Sequence, residues 1–469
     1  MTNAVRPGEG VAGLSLSSTS IPGLLILTLP LHGDARGWFK ENWQRAKMMT
    51  LGLPDFAPVQ QNMSFNAEAG VTRGIHAEPW DKLVSVATGR VFGAWVDLRE
   101  GDTFGTVVTH EIGPDTAVFT PSGVGNAYQA LEAGTCYSYL VNEHWSAETK
   151  SQYTFANLNH PAIAWPLPLE SAIVSEADRT HPALADVIPM PRPRPVVTGA
   201  GGQLGQALRR LLPDAQFLDR DELDITDADA VAAFPWGRAS TIINAAAWTA
   251  VDAAEADGRA ACWAVNVTGT ANLVAAANRH RLPLVHVSSD YVFDGTRDTH
   301  AEDEPFSPLS AYGASKAAAD ALVATLPRHY ILRTSWVIGD GPNFVRTMAR
   351  LADSGISPAV VDDQFGRLTF ADDLARATLH LIETGAPAGS YNVTSDGDPM
   401  SWFDVATAVF DARGAQGRVT RTDTATFSAG KVTAPRPRHS TLDLAKIKAT
   451  GFQPSDGTEA LRRYLDTLR

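Results

Sequence analysis

The segment Pro191-Arg-Pro-Arg-Pro-Val-Val-Thr-Gly-Ala-Gly-Gly-Gln-Leu-Gly205 decides the organisation of this chain. Its alternating prolines hold the backbone extended and cannot continue a helix. Residues 196–197 then predict a short buried strand, and residues 206–212 predict a helix. The glycines between them let backbone amides approach a pyrophosphate closely at the start of that helix. We therefore predict that one domain ends near residue 190 and that a nucleotide-binding domain begins near residue 195.

The composition is that of an ordinary globular protein, with 44% hydrophobic and 19% charged residues. A chain of 469 residues would suggest about three domains by length alone. Since the linker is the only strong boundary, we predict two domains, residues 19–190 and 196–469, joined by residues 191–195. The net charge of -13 argues against a nucleic-acid partner, because phosphate binding requires a basic face.

The sequence also predicts where in the cell the protein is found. Cys136 and Cys262 are the only cysteines, so a disulfide framework is not expected and the chain suits a reducing cytosol. Residues 1–18 are rich in Gly, Ser and Thr and predict a flexible tail. The apolar run at 21–31 is interrupted by two prolines, which argues against a transmembrane helix, and it lacks a signal-peptide layout. We expect a cytoplasmic protein without a membrane partner.

The first half of the chain predicts many short strands. Apolar and β-branched runs such as 82–87, 91–98 and 106–112 alternate with turn residues, and helical signal is confined to about 44–51. This pattern favours an all-β sandwich, barrel or jelly roll.

Candidate chemistry in this half concentrates between Val71 and Lys82. His76 is the natural proton acceptor near neutral pH. Lys82 could stabilise a developing oxyanion, with Arg73 nearby in the same segment. No group of His, Cys and carboxylate residues has a convincing metal-ligand spacing, so no metal is predicted.

Several segments of this half occur together in the order of a known family: Gly33-Asp-Ala-Arg-Gly-Trp-Phe-Lys-Glu41, Gln60-Gln-Asn-Met-Ser64, Arg73-Gly-Ile-His76, Lys82-Leu-Val84 and Thr103-Phe-Gly105. On these segments the half resembles the dTDP-4-dehydrorhamnose 3,5-epimerases, which implies a cupin-type jelly roll and, since that family is typically dimeric, a homodimer formed through this half.

The resemblance also implies roles for individual residues. His76 would be the general base, and Asp178, in Ser175-Glu-Ala-Asp178, would orient it. The catalytic tyrosine best matches Tyr139, with Tyr137 as the competing choice. Lys82 would stabilise the enolate. The nucleotide sugar would be held by Arg36, Phe39, Glu41, Gln60, Asn62, Arg73 and Asn126.

Three departures from the family pattern are visible. The second pocket histidine of the family is Asn126 here, the lysine before the aspartate is Ala177, and Asn159-His-Pro161 replaces the usual Asn-Asp segment. Asn126 can form a hydrogen bond but cannot carry a proton. The sequence therefore leaves open which sugar is used and whether both C3 and C5 are epimerised.

The second half alternates strands and helices. Helices are expected near 204–212, 228–234, 252–257, 260–279, 311–325, 343–354 and 371–383, with apolar strands between them. This pattern predicts an α/β doubly wound parallel sheet of the Rossmann type with a smaller substrate-binding part.

Cofactor contacts are predicted at the carboxyl ends of the first strands. Asp219 could bind ribose hydroxyls and Arg220 a 2′-phosphate, so NADH and NADPH are not separated. The small side chains at 245–247 let a ligand approach. The full predicted set is Gly199, Gly202, Gln203, Leu204, Gly205, Asp219, Arg220, Asp224, Ile225, Ala245, Ala246, Ala247, Tyr312 and Lys316.

A catalytic triad is predicted from Ser289 and from Tyr312 and Lys316, which are four residues apart and so share a helix face. The Lys316 ammonium would lower the pKa of the Tyr312 phenol and hold the nicotinamide ribose. Tyr312 would give a proton to a carbonyl oxygen as hydride reaches the carbon, and Ser289 would bind the same oxygen.

This half resembles the extended short-chain dehydrogenase/reductases and, more closely, the dTDP-4-dehydrorhamnose reductases. The segments that carry the resemblance are Asn244-Ala-Ala-Ala-Trp-Thr-Ala-Val-Asp252, Ser288-Ser-Asp-Tyr-Val-Phe-Asp-Gly295, Arg333-Thr-Ser-Trp336, Asp363-Gln-Phe-Gly366 and Arg436-Pro-Arg-His-Ser-Thr-Leu-Asp443. It implies substrate contacts from Trp336, Thr369 and Arg436. Arg367 departs from a small residue common in the family.

The two resemblances imply consecutive steps on one dTDP-4-keto-6-deoxysugar, ending in dTDP-L-rhamnose. Two alternatives stay open: the same chemistry on another dTDP-4-keto-6-deoxysugar, and a reductase whose first half is a non-catalytic sugar-nucleotide-binding or dimerisation module.

Overall fold

The computed structural model of the chain describes residues 13–146 and 149–468. The chain divides into two compact units, Met1–Arg192 and Pro193–Arg469. Each unit has its own hydrophobic clusters and is described by itself.

The N-terminal unit is built mainly from strands, with two short helices, α1 (Arg45–Thr50) and α2 (Glu176–Arg179). Its strands are β1 (Ser15–Ser18), β2 (Leu25–Thr28), β3 (His32–Asp34), β4 (Gly37–Phe39), β5 (Gln60–Asn66), β6 (Thr72–Ala77), β7 (Lys82–Thr88), β8 (Val91–Asp97), β9 (Val107–Ile112), β10 (Thr116–Thr120), β11 (Val124–Ala130), β12 (Thr135–Val141) and β13 (Thr154–Phe155).

Two large antiparallel sheets form the core of this unit, and β3 and β4 pair separately as an antiparallel hairpin. One of the large sheets has six strands in the order β1-β2-β10-β7-β12-β5, and the other has five in the order β13-β6-β11-β8-β9. Alternate apolar side chains of both sheets, among them Val84 and Trp95, share one buried cluster. The buried Trp95 indole donates a hydrogen bond of 2.9 Å to Thr120, so its polar nitrogen is satisfied. This core holds the strand ends that carry His76 and Lys82.

The start of the chain differs from the predicted flexible tail. Residues 1–12 lie outside the described residues, but Ser15–Ser18 form β1 and pair antiparallel with β2, Leu16 opposite Leu27. Leu27 is fully buried and Leu16 packs against the same cluster. This short run is rich in serine, yet it completes a sheet edge because a neighbouring strand supplies the hydrogen bonds.

The C-terminal unit alternates strands and helices. Its strands are β14 (Arg194–Thr198), β15 (Gln216–Leu218), β16 (Ala239–Asn244), β17 (Leu284–Ser289), β18 (His329–Thr334), β19 (Val337–Ile338), β20 (Ala359–Val361), β21 (Phe365–Gly366), β22 (Thr369–Phe370), β23 (Gly389–Asn392), β24 (Met400–Ser401) and β25 (Thr420–Thr422). Its helices are α3 (Gln203–Leu211), α4 (Ala228–Ala233), α5 (Arg259–Trp263), α6 (Thr270–His280), α7 (Ala311–Val323), α8 (Phe344–Asp353), α9 (Ala371–Glu383), α10 (Trp402–Ala412), α11 (Thr424–Ser428), α12 (Ala445–Ala449) and α13 (Gly457–Asp466).

Six of these strands form a parallel sheet in the order β15-β14-β16-β17-β18-β23. Successive strand residues face opposite sides: Val197 packs with α3 and α9, whereas its neighbour Val196 packs with α4, α6 and α7. Helices thus cover both faces. The order reverses direction between β14 and β16, which is where open parallel sheets bind their ligands. A separate cluster built on α8, α10 and α13 forms the smaller part of the unit.

Two of the expected helices differ in the structure. Residues 253–255 form only a 3₁₀ turn, whereas a helix was expected over 252–257. The expected helix at 260–279 contains a π-helical turn, Ala264–Gly269, between α5 and α6. Within that turn the buried Asn266 side chain bonds Ser315 at 2.9 Å and accepts from the Trp248 amide at 2.8 Å. This side chain joins the turn to α7 through contacts that periodicity does not encode.

The segment Arg259–His280 is also the one helix of the described residues that is long and apolar enough to cross a bilayer by length and composition. Core helices of soluble proteins pass the same test. Here Leu273, Ala276 and Ala277 are buried against the parallel sheet.

Candidate active sites

A cavity of about 220 Å³ lies in the N-terminal unit. Strands β6, β7, β11 and β12 supply most of its wall, because inward-facing side chains of the two sheets meet there. It is lined by Ser64, Arg73, Gly74, His76, Glu78, Lys82, Asn126, Tyr128, Tyr137 and Tyr139.

His76 and Asp178 form a hydrogen-bonded pair in this unit, with 2.8 Å between His76 Nε2 and Asp178 Oδ1. Ser175 caps α2 by accepting from the Asp178 amide, and so holds the aspartate in place. Burial alone would raise the pKa of Asp178, but hydrogen bonds from His76, Ser175 and the Gly74 amide lower it overall. The carboxylate therefore stays charged and leaves Nδ1 as the imidazole nitrogen that can take up a proton.

Lys82 is the buried cation of this cavity. Its side chain is 6% exposed and its ammonium forms an ion pair with Glu78. Burial lowers the pKa of Lys82 to about 7. The ammonium lies 5.7 Å from the centroid of the Tyr139 ring. A positive charge is thus available beside a phenol inside the cavity.

The two candidate tyrosines differ in their partners. Tyr137 is almost fully buried, and its hydroxyl donates to Asn126 Oδ1 at 2.9 Å. Tyr139 is only partly buried and faces Lys82. Burial raises the pKa of both phenols. Tyr139 is therefore the less buried of the two phenols in the cavity, and Asn126 instead fixes Tyr137.

The C-terminal unit holds a cavity of about 750 Å³ at the carboxyl ends of its parallel strands. Its wall includes the turn before α3, the residues after β16, the end of β17 and the start of α7. Gly201, in the first of these, donates a backbone hydrogen bond of 2.7 Å to Asp219 at the end of β15.

Ser289, Tyr312 and Lys316 all line this cavity. Ser289 Oγ donates to Asp290 Oδ1 at 2.9 Å and accepts from the Tyr291 amide at 3.2 Å. Lys316 Nζ donates to the Val287 carbonyl at 2.7 Å. The end of β17 and the first turns of α7 thus bring a hydroxyl, a phenol and an amine to one wall.

The electrostatics differ from the expected lowering of the phenol pKa. Burial raises the pKa of Tyr312, and the nearby Asp290 carboxylate adds to the effect. Burial lowers the pKa of Lys316 to about 8, since its ammonium is desolvated. Lys316 is directed to Val287 and to His286, at 3.3 Å, so it does not offset the burial of the phenol in this state.

Comparisons with known proteins divide the chain in the same two parts. Residues 18–186 match the family model for dTDP-4-dehydrorhamnose 3,5-epimerase, and residues 194–469 match the model for the RmlD substrate binding domain. The N-terminal part is 49% identical over 177 residues to a Streptococcus pyogenes protein called "Protein RmlC homolog", covering 36% of this chain and 89% of the relative. The chain belongs to both families.

Two further relatives place the reductase family. A dTDP-4-dehydrorhamnose reductase of Aggregatibacter actinomycetemcomitans is 42% identical over 288 residues, covering 57% of this chain and 97% of the relative. The solved reductase of Bacillus anthracis, in complex with NADP, is 34% identical with a TM-score of 0.55 and covers 59% of this chain and 99% of its own. The chain therefore joins an epimerase unit to a reductase unit.

The reductase unit has a cradle that fits a dinucleotide pyrophosphate. Gly199 has a φ of +74°, and a side chain there would place its Cβ 2.5 Å from the Ala246 amide nitrogen. A Cβ at Gly205 would lie 2.4 Å from the Ala200 carbonyl. Gly202 begins α3 without a side-chain cap, which leaves the first helix amides for phosphate oxygens. Of the remaining predicted residues, Gln203, Leu204, Ala245 and Ala247 line the cavity.

Seven predicted cofactor residues lie outside that lining; Gly199, Gly205 and Ala246 belong to the cradle just described, and the other four fall within residues 219–225. Asp219 bonds the glycine turn, while Arg220 is 81% exposed and pairs with Asp224 at 3.1 Å. Ile225 is buried against Gly269. Asp219 and Arg220 together still offer a ribose acceptor and a phosphate partner at one strand end.

Of the three predicted substrate residues of the reductase unit, one lines the cavity, and the other two contact residues that line it. Trp336 lines the cavity, with a left-handed φ of +47° and its indole stacked on Trp402 at 3.8 Å between centroids. Thr369 does not line the cavity; it is fully buried and accepts a hydrogen bond from Thr334, which does. Arg436 is bound to Asp252 at 2.9 Å and contacts Tyr291.

In the epimerase unit, Arg73 and Asn126 line the His76 cavity. The predicted residues in or just after the β3–β4 hairpin do not line it. Arg36 is 90% exposed and bound to Asp34, Phe39 is 64% exposed, and Glu41 pairs with Lys47 at 2.5 Å. On β5, Gln60 donates to Asn62 at 2.9 Å, and Asn62 reaches Tyr139. The structure thus assembles the predicted base, orienter, cation and tyrosine, with a separate exposed hairpin.

Sequence reasoning missed three charged or titratable neighbours of these sites. Glu78 pairs with Lys82, His181 lies 4.0 Å from Asp178, and Asp290 accepts from Ser289. Burial raises the pKa of Asp290 to about 6. Glu78 lies in the segment 71–82 and Asp290 in the segment 288–295, both of which hold predicted site residues, but their spacing alone gave no reason to pair them with Lys82 and Ser289.

Proposed function

We propose that this chain is a bifunctional enzyme that completes dTDP-L-rhamnose synthesis. It epimerises dTDP-4-dehydro-6-deoxy-D-glucose at C3 and C5 to dTDP-4-dehydro-L-rhamnose, and then reduces the C4 ketone with NADPH or NADH. The observation that carries the proposal is the presence in one chain of a His76–Asp178 pair beside a buried Lys82 and of a Ser289–Tyr312–Lys316 wall.

In the first reaction His76 is the general base. The C4 ketone acidifies the protons on C3 and C5, so His76 Nδ1 removes one of them while Asp178 stabilises the resulting imidazolium. The Lys82 ammonium stabilises the enolate oxygen. Tyr139 returns a proton from the opposite face, which inverts the carbon. His76, Lys82 and Tyr139 line one cavity, as this sequence of proton transfers requires. Asp178 is bonded to His76 from outside that lining.

In the second reaction the bound nicotinamide cofactor supplies a hydride. Gly199, Gly202 and Gly205 would let the cofactor pyrophosphate approach the backbone, and Asp219 and Arg220 would hold its adenosine ribose. Tyr312 donates its proton to the C4 oxygen, and Ser289 bonds that oxygen after turning its hydroxyl away from Asp290. Lys316 stabilises the charge that remains on Tyr312, and Trp336 and Arg436 bind the sugar nucleotide.

The finer architecture is part of this proposal. The epimerase unit, residues 19–190, is a cupin-type jelly roll, and the reductase unit, residues 196–469, is a Rossmann-type domain with a smaller substrate-binding part. Support comes from the two antiparallel sheets and from the doubly covered parallel sheet. We further propose a cytoplasmic homodimer formed through the epimerase unit. Met63 and Phe65 on edge strand β5 are 65% and 67% exposed, and such an apolar stripe suits an interface.

A second candidate is the same pair of reactions on another dTDP-4-keto-6-deoxysugar. Asn126 favours it, because this residue fixes Tyr137 in the cavity and cannot carry a proton. Arg367 adds little to this alternative, since its guanidinium bonds the Gly397 and Leu442 carbonyls. Stereochemistry of the product at C3, C4 and C5, determined by NMR, separates the two candidates.

The first experiment supplies dTDP-4-dehydro-6-deoxy-D-glucose and NADPH with no other enzyme. Oxidation of the cofactor together with formation of dTDP-L-rhamnose is expected. No oxidation until a separate epimerase is added would leave the N-terminal unit as a binding or dimerisation module. Substituting NADH in the same assay, with Arg220→Ala alongside, measures the cofactor preference.

A further inference from the structure

Three donor atoms of the epimerase unit converge beside its general base. His76, Asp178 and His181 each offer one ligand atom, and these three atoms all lie within 4.8 Å of one another. Two imidazole nitrogens and a carboxylate oxygen form a donor set that suits a borderline divalent metal such as Zn²⁺.

The backbone carbonyl of His181 accepts a hydrogen bond of 3.0 Å from Asn157, but this contact does not involve its ring. Its Nδ1 is buried without a hydrogen-bond partner and lies 4.0 Å from Asp178 Oδ1, beyond hydrogen-bond distance. Its ring stacks on Phe155 at 4.6 Å between centroids, and Phe155 also contacts the edge of His76 at 5.4 Å. The aromatic contact therefore holds an unpaired nitrogen next to the dyad.

We propose that His76, Asp178 and His181 form an inhibitory Zn²⁺ site that silences the epimerase unit. The inhibition rests on the proposed base role of His76, whereas the binding site itself does not.

The distances allow this with small adjustments. A tetrahedral Zn²⁺ with ligand bonds of about 2.1 Å holds neighbouring donors about 3.4 Å apart. The separations from Asp178 Oδ1 are 2.8 Å to His76 Nε2 and 4.0 Å to His181 Nδ1. Each has to change by about 0.6 Å, one outward and one inward. His181 follows the short helix α2, where the chain leaves helical geometry at Thr180, so the inward movement involves a loop residue.

Inhibition follows because Zn²⁺ takes the place of the proton that His76 Nε2 otherwise carries. Zn²⁺ binds the deprotonated donors, so the proton on His76 Nε2 is released to solvent. The coordinated imidazole is less basic at Nδ1, and Asp178 no longer stabilises an imidazolium. Proton removal from the sugar then stops. The Ser289–Tyr312–Lys316 wall of the reductase unit has no such donor set, so reduction continues.

The test uses the full chain, its His181→Phe variant and a His110→Ala variant. Phenylalanine keeps an aromatic ring against Phe155 but removes the nitrogen donor. His110 lies on β9, which pairs only with β8, and controls for loss of any histidine. Zn²⁺ binding is measured by competition with a chromophoric chelator. Epimerase action is measured, with and without Zn²⁺, as solvent-deuterium uptake at C3 and C5.

We expect one Zn²⁺ per chain, bound at least tenfold more weakly by His181→Phe and unchanged by His110→Ala. Deuterium uptake should fall at least tenfold at saturating Zn²⁺ in the wild type and should resist Zn²⁺ in His181→Phe. Equal binding by the wild type and His181→Phe overturns the site, and binding without loss of uptake overturns the inhibition. A chain that binds Zn²⁺ through His181 but never exchanges deuterium contradicts the proposed function and leaves the metal site standing.

Discussion

The hydrogen bond between His76 and Asp178 joins residues 102 positions apart in the chain. Because the carboxylate both fixes the imidazole and stabilises its protonated form, Asp178→Asn should keep the packing but lose most of the base function. We expect deuterium uptake at C3 and C5 to fall roughly 10²–10⁴-fold. Reduction of supplied dTDP-4-dehydro-L-rhamnose serves as the control and should be unaffected. Uptake at the wild-type rate in this variant would contradict the assigned orienter.

The lowered pKa of Lys316 predicts how the reductase activity depends on pH. Burial lowers its pKa to about 8 from the usual 10.5, so the ammonium is lost as the pH rises through about 8. The pKa of Tyr312 is shifted the opposite way, and its phenol does not ionise in that range. Turnover on supplied dTDP-4-dehydro-L-rhamnose should therefore decline above about pH 8. A profile that stays flat to pH 10 would show that the charge on Lys316 is not required.

At the scale of elements, the connection from β18 to β19 carries the strained residue of the reductase cavity. Trp336 holds a left-handed φ of +47°, braced by Trp402 at the start of α10 and by Gly366 in β21. A Cβ at Gly366 would lie 3.0 Å from the indole of Trp336. These contacts from two elements hold one ring in the cavity wall.

Gly366→Ala should therefore displace the indole and raise KM for the sugar nucleotide more than it lowers kcat. Trp402→Ala should act in the same direction and also remove about 0.5–1.5 kcal/mol of ring–ring interaction. Steady-state kinetics and thermal unfolding measure the two effects. Gly237→Ala is the matched control, since a Cβ there meets nothing within 4 Å. If KM rises equally in the control, Gly366 and Trp402 do not hold the Trp336 ring in the way described.

Local patterns predicted those elements whose side chains alternate with a clear period. The helix predicted over 371–383 coincides with α9, because its apolar face repeats along the whole length. The π-helical turn at Ala264–Gly269 escaped prediction, since Asn266 is held by Ser315 and Trp248 from other elements. Glu78 and Lys82 are four apart but lie at a strand boundary, so helical spacing gave no reason to pair them. His181 lies only three residues after Asp178, and it escaped prediction because only folding brings this segment to His76.

At the scale of the whole molecule, each unit has its own core and its own cavity. A His76→Ala chain should reduce supplied dTDP-4-dehydro-L-rhamnose but should not oxidise NADPH with the unepimerised sugar. A Tyr312→Phe chain should exchange deuterium but not oxidise NADPH. A mixture of the two should form dTDP-L-rhamnose, because the intermediate diffuses between chains. NADPH oxidation that fails to recover in the mixture would show that the variants damage both units.

The proline-rich connection at residues 191–195 also fixes the relative abundance of the two activities. Separate enzymes reach a cell in amounts set by two rates of synthesis and two rates of degradation, whereas one transcript and one lifetime govern both sites here. A change in expression scales both steps by the same factor. Any imbalance in flux between them must then arise at the sites themselves, from their turnover numbers or from a ligand that binds one site alone.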